Sequence, residues 1–139
     1  MIKYIASPEG ILPENLQGFF IGWPNPPSTS KHLEILQKAD YVILAVSTDT
    51  NNVVGFINAI ADKVLTAYIP LLEVLPEYHG KGIGEELVSR MLSKLQDYYM
   101  MIFASVRAIK SFTKNSVCKN AQQWLLETLQ NRMEYKFKI

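Results

Sequence analysis

The sequence predicts a mixed α/β fold of the α+β kind, and three observations carry that expectation. Short apolar runs closed by Pro, Gly, Asp or Asn recur at residues 1–6, 41–46, 53–61 and 66–75, and a further apolar run lies at residues 100–106, which is the pattern of strands separated by turns. Two other stretches repeat their apolar residues at helical spacing, around Leu33 and Leu36 and again from Ile83 to Leu95. The chain has 139 residues, 48% of them apolar and 19% charged. That size and balance suit one globular domain whose core buries about two-thirds of the unfolded chain's surface.

Each element has its local reason. Residues 1–6 form a first strand that Pro8 and Gly10 close. Pro13 opens a helical turn running through Leu16 to Phe20, because proline suits a first helical position. The run Gly22-Trp23-Pro24-Asn25-Pro26-Pro27 is a stiff loop that neither a helix nor a central strand accommodates. Ser28 or Ser30 then caps a helix carrying His32, Leu33, Leu36 and Gln37 and ending near Ala39. Residues 41–46 and 53–61 are two strands of a hairpin whose turn, residues 49–52, is rich in Asp and Asn. Residues 66–75 are a third strand, stopped by Pro76. Ile83, Leu87, Val88, Met91, Leu92 and Leu95 mark one amphipathic helix. Residues 100–106 are a further strand.

Composition narrows the function classes. The formal net charge of +1 gives no general attraction to nucleic acid or to an anionic membrane. Cys118 is the single cysteine, so no intrachain disulfide and no Cys-based zinc cluster can form. That usage suits a reducing compartment and leads to the expectation of a cytoplasmic protein. His32 and His79 are far apart in sequence and carry no metal motif, so no metal is expected. No apolar run reaches about 18 residues, and residues 1–10 do not read as a signal peptide.

The most informative stretch is residues 72–91, LEVLPEYHGKGIGEELVSRM. A strand stops at a proline, the glycine-rich turn His79-Gly80-Lys81-Gly82-Ile83-Gly84 follows, and a helix begins at once. Helix N-termini offer N–H groups without internal partners, and the helix dipole adds positive potential there. Glycines let a phosphate approach the backbone without a Cβ in the way. The stretch therefore predicts a phosphate-bearing ligand. It is not a Walker loop, because no Ser or Thr follows a Gly-Lys pair at the required spacing.

With these residues the chain resembles the GCN5-related N-acetyltransferases (GNAT), whose loop pattern is Q/R-x-x-G-x-G/A between a strand and a helix. Gly82 and Gly84 match, whereas His79 stands where that pattern has Gln or Arg. The preceding Leu72-Glu73-Val74, the proline, the aromatic Tyr78 and the strand VVGFINA around Gly55 match as well. The resemblance covers roughly residues 1–104 and implies a mixed, mostly antiparallel central sheet flanked by helices, with the C-terminal part incomplete or divergent. It implies that the amides of Gly80, Lys81, Gly82, Ile83, Gly84 and Glu85, with His79 alongside, hold the pyrophosphate of acetyl-CoA. It also implies that the backbone of Leu72, Glu73 and Val74 pairs with the pantetheine arm. The activity implied is acetyl transfer to a primary amine by direct attack on the thioester, with a small-molecule or peptide amine as acceptor. Such a reaction needs a neutral amine, a donor for the oxyanion and a proton for the leaving thiolate.

Several residues carry two readings. Glu73 is the carboxylate placed to accept the amine proton, directly or through water, or else a surface glutamate on the strand's other face. Lys81 contributes its amide, with its side chain in solvent, or else its side chain contacts a phosphate directly. Phe19, Phe20 and Trp23 border the proline loop and either line the acceptor pocket, as the resemblance implies, or fill the core. Tyr68, Tyr78, Tyr98 and Tyr99 read as packing residues. A homodimer through paired edge strands is a further expectation.

Residues 105–139 break the pattern. Residues 1–104 hold seven Lys/Arg against eleven Asp/Glu, a net of −4, whereas residues 105–139 hold seven against two, a net of +5, and have no Gly or Pro. One helix is expected there, residues 121–133, with Trp124, Leu125, Leu129 and Met133 on one side, in a basic tail that is not an independent domain. The resemblance implies an F-Y-E-K-F-G motif whose tyrosine protonates the thiolate, and no tyrosine occurs in residues 105–134. Yet the run FTKNSVCKNAQQWLLE, residues 112–127, can be written with codons that spell FYEKFGMQKRPTMAA and a stop when read one base earlier. A frameshift between about Tyr98 and Phe112 accounts for both the missing motif and the change in composition. Two alternatives to an active transferase follow: a catalytically impaired CoA-binding relic, or an interaction module that docks through the C-terminal helix.

Overall fold

The computed structural model describes residues 1–104. The expected helix at residues 121–133 and the expected basic tail lie outside the described residues.

The elements run β1 (Ile2–Ile5), a 3-10 turn (Pro13–Asn15), α1 (Thr29–Lys38), β2 (Tyr41–Ser47), β3 (Val53–Ala61) and β4 (Thr66–Val74). A second 3-10 turn (Pro76–Tyr78), α2 (Ile83–Lys94) and β5 (Met100–Phe103) follow. The five strands form one sheet in chain order, β1-β2-β3-β4-β5. Neighbours are antiparallel from β1 to β4, and β4–β5 is parallel. The change of direction follows from connectivity. Short turns join β2 to β3 and β3 to β4, residues 6–40 with α1 join β1 to β2, and α2 is the long crossover that the parallel pair β4–β5 requires.

The sheet has helices on both faces. On one face Phe56 packs with Leu16, Phe20, Leu36, Val42 and Leu44 in the main core cluster. On the other, α2 buries Ile83, Leu87, Val88 and Met91, the stripe that its 3.6-residue spacing predicts. Gly55 is what lets α2 lie close to β3. A Cβ there would stand 3.1 Å from Leu87 Cδ1, 3.2 Å from Val74 Cγ2 and 3.3 Å from Ile83 Cγ2. Ser28, not Ser30, caps α1: its Oγ accepts the Lys31 N–H at 3.1 Å.

Three expectations need correction. The helical turn from Pro13 closes at Asn15, and residues 16–20 are not helical, because Gly18 (φ 85°) and Phe20 (φ 62°) are left-handed. The last described strand is Met100–Phe103 and does not include Ala104, whose N–H meets the Ile69 carbonyl at 3.1 Å, while residues 105–106 of that expectation lie outside the described residues. Tyr99 is 76% exposed and packs on little, whereas Tyr98 does pack: its hydroxyl pairs with that of Tyr41 at 3.0 Å.

Candidate active site

The turn between β4 and α2 is built by backbone conformation. Gly82, the residue before α2, has φ 76°, a left-handed value that side chains disfavour, and nothing lies within 4 Å of where its Cβ would be. Conformation and open space, rather than crowding, therefore call for glycine. No side chain caps α2, and its first internal bond runs from the Glu86 N–H to the Gly82 carbonyl at 3.1 Å. The amides of Ile83, Gly84 and Glu85 thus precede the helical ladder. Gly84 faces only Val74 Cγ2, at 3.7 Å, so methyl-sized bulk fits there. The carboxylates of Glu85 and Glu86 occupy the first turn, and Glu86 is bound to Arg90 at 2.6 Å. Attraction for an anion here comes from the amides, since these two carboxylates oppose it. Lys81 extends over the Tyr78 ring, 4.8 Å from its centroid.

The end of β4 is open on one side. The Leu75 N–H bonds the Val54 carbonyl at 2.8 Å, so alternation along the strand turns the backbone groups of Leu72 and Val74 away from β3. β5 pairs only with residues 66–69 of β4, so on the side away from β3 no described strand pairs with Leu72 or Val74. One of the outward groups is taken: His79 Nε2 lies 2.7 Å from the Val74 carbonyl oxygen. A carbonyl can only accept, so Nε2 is the nitrogen that carries the hydrogen. His79 therefore ties the turn to the strand end.

Glu73 lies between those two residues and faces the other side of the sheet. Its register partner is Phe56, and its carboxylate accepts the Phe20 N–H at 2.9 Å and the Ile21 N–H at 3.3 Å. The surface-glutamate reading gives way to a half-buried carboxylate that hooks residues 18–27 onto β4. Phe20 is buried and Phe19 packs against the core, as one reading of that pair expected, whereas Trp23 is 51% exposed.

Beneath this segment His32 is 1% exposed, and neither ring nitrogen has a hydrogen-bond partner. Phe19, Phe20 and Phe56 surround it, with ring centroids 4.4–5.2 Å away. Burial pushes its pKa down to about 4, so the imidazole is neutral near pH 7. Sequence reasoning placed His32 on a helix but missed its aromatic surroundings. The available signal was its i,i+4 spacing from the buried Leu36.

The structure thus places Leu72, Glu73 and Val74 on β4 and residues 79–85 in the adjoining turn, as one contiguous surface. Among the described residues there is no group of three or more metal-ligating side chains, and no helix is long and apolar enough to cross a membrane.

The sequence model described as the Acetyltransferase (GNAT) family matches residues 9–115. A solved Deinococcus radiodurans R1 protein assigned as an acetyltransferase is 42% identical over 75% of this chain and 72% of its own, with a TM-score of 0.72. Arabidopsis thaliana NAA60, solved with a bisubstrate analogue, shares the fold at 14% identity over 84% of each chain, TM-score 0.62. AAC(6')-Iy, solved with the bisubstrate analogue CoA-S-monomethyl-acetylneamine, does so at 15% identity over 90% of this chain and 89% of its own, TM-score 0.53. No curated protein matches the chain.

Proposed function

The chain belongs to the GNAT acetyltransferase family, and on that premise we propose that it moves an acetyl group from acetyl-CoA to a primary amine by direct attack on the thioester. The observation that carries this reading is the pairing of two backbone devices on one surface. The amides of Ile83, Gly84 and Glu85 stand free at the start of α2, beside a glycine turn with open space over Gly82. The outward groups of Leu72 and Val74 stand free of β3 at the end of β4. The first suits a diphosphate and the second an extended amide-bearing arm, so the residues present fit acetyl-CoA. A ligand with that pair of features is held in the GNAT-like AAC(6')-Iy complex.

When bound, acetyl-CoA supplies an acyl group activated as a thioester, so that amide formation releases the free thiol. The protein's part is positioning and proton handling. Gly80, Lys81, Gly82, Ile83, Gly84 and Glu85 present amides to the diphosphate, and His79 holds the turn against Val74 while they do so. Leu72 and Val74 orient the arm along β4. Glu73 accepts the proton that the amine must lose, directly or through one water. Its carboxylate already receives two N–H groups, and each oxygen keeps a further lone-pair direction for that task. The acceptor is a small-molecule or peptide amine, the reaction is cytoplasmic, and no metal takes part.

A second reading rests on one sequence observation: residues 105–134 contain no tyrosine to protonate the thiolate. In that reading the chain binds acetyl-CoA without turning it over. Calorimetric titration with acetyl-CoA, followed by thiol release over a panel of amines, separates the two. Binding with turnover supports the transferase, binding without turnover supports the relic, and no binding ends both. Sequencing the coding DNA across codons 98–112 tests the frameshift independently; a gene without the open alternative frame removes that explanation of the tail.

A further inference from the structure

We propose that the acceptor is a small monoamine whose nitrogen adjoins an aromatic or branched apolar body, selected by Ile21 and Trp23 on a lip fastened over Glu73; this rests on the transferase reading above. The lip has an unusual composition. From residue 15 to residue 30 the chain carries no charged side chain, between Glu14 and Lys31.

It is also held in one shape. Gly18, Phe20 and Gly22 all have φ between 62° and 85°, Pro24, Pro26 and Pro27 fix the continuation, and the Trp23 N–H closes a turn on the Phe20 carbonyl at 3.2 Å. Its anchor is Glu73 itself, through the Phe20 and Ile21 amides at 2.9 and 3.3 Å. Underneath, Phe20 packs edge-on to His32 at 4.8 Å.

On this support two large apolar side chains face outward. Ile21 is 59% exposed and Trp23 51% exposed, and the indole meets the Phe20 ring at 5.2 Å, 74° between planes. A rigid turn fixed to a half-buried carboxylate thus presents apolar surface that the core does not use. An amine that approaches Glu73 meets one carboxylate for its nitrogen and an uncharged, partly aromatic wall for the rest of its body. A polycation would bring further ammonium groups to a segment that offers them no carboxylate from residue 15 to residue 30, and desolvating an unpaired charge is unfavourable. An apolar body gains from burying its own surface and that of Ile21 and Trp23.

The test is calorimetry on the full chain loaded with CoA, titrated separately with tryptamine, phenethylamine, spermidine and kanamycin. The aromatic monoamines should bind at least tenfold tighter than spermidine or kanamycin. Trp23→Ala should weaken tryptamine several-fold, Trp23→Phe should restore most of it, and acetyl-CoA affinity should stay unchanged in both. Equal or tighter binding of the polycations overturns the proposal, as does unchanged tryptamine affinity in Trp23→Ala. If CoA itself does not bind, the transferase reading fails separately. Titrating the free protein with the same amines then still reads the preference of the lip.

Discussion

Two segments attach to β4 within three residues of one another, and they are made in different ways. The turn at residues 79–85 is backbone: left-handed glycines, unladdered amides, and one imidazole on the Val74 carbonyl. The lip at residues 18–27 is side chains: buried Phe20, exposed Ile21 and Trp23, and a fastening to Glu73 across 53 residues of sequence. A surface made of amides reads features that any diphosphate shares, whereas one made of side chains reads the individual shape of its ligand. On the function proposed above, the turn serves the donor substrate that the family has in common, and the lip serves the acceptor that distinguishes one member from another.

Four experiments break or sharpen that contrast. Glu73 joins the two sides, so Glu73→Ala should have the largest effect. A lost proton acceptor costs about 10²–10⁴-fold in kcat, and release of the lip should raise the KM for amine while the KM for acetyl-CoA changes little. A similar rise in both KM values would show that the two segments are not separable. His32 tests the support of the lip. Its pKa is near 6.5 in the unfolded chain and about 4 when folded. Between those values the unfolded state takes up a proton that the folded state refuses. Stability is therefore full above about pH 6.5 and declines as pH falls toward 4, by about 3 kcal/mol. Urea unfolding at pH 7 and pH 4 should show that decline in the native chain, and His32→Leu should reduce it. An equal decline in the variant would place the titration elsewhere.

On the donor side, Gly82→Asp combines a left-handed strain with a negative charge at the helix start. Acetyl-CoA affinity should fall by about 2 kcal/mol, roughly 30-fold by calorimetry. Gly84→Ala, with ordinary van der Waals space at 3.7 Å, should keep the fold's stability and serves as the control for bulk alone. The smallest effect belongs to Glu85, exposed in the first turn of α2. Removing its charge in Glu85→Gln should tighten acetyl-CoA by about 0.5 kcal/mol, more at low salt than at high salt. Weaker binding would mean that the carboxylate helps the ligand.

The same contrast explains what was legible in the sequence. Gly82 followed by a helical stripe at Ile83, Leu87, Val88 and Met91 encodes its own geometry, because a left-handed residue before a helix leaves glycine as its trace. The strands were legible for a similar reason, since Pro76 and the Asp/Asn turn bound them locally. The lip left a misleading trace. Leu16, Phe19 and Phe20 stand at i, i+3 and i+4, the spacing of a helix face, and Leu16 and Phe20 are indeed buried. Left-handed steps at Gly18 and Phe20, rather than helical turns, bring Phe20 into the core. Glu73 was found as a carboxylate on the right strand, but its hold on Phe20 and Ile21 is a contact between distant segments that no local spacing records. The cage around His32 is hidden in the same way, assembled from a loop, a helix and a strand.

Pro70 lies just past the last β4 residue that β5 pairs with, and beyond it one margin of the strand has no described partner. The N–H groups of Leu72 and Val74 on that margin should exchange with deuterium readily in the free protein and slowly once an arm lies along them. The sheet thus carries its own occupancy gauge: two amides whose protection reports directly whether the gap has been filled.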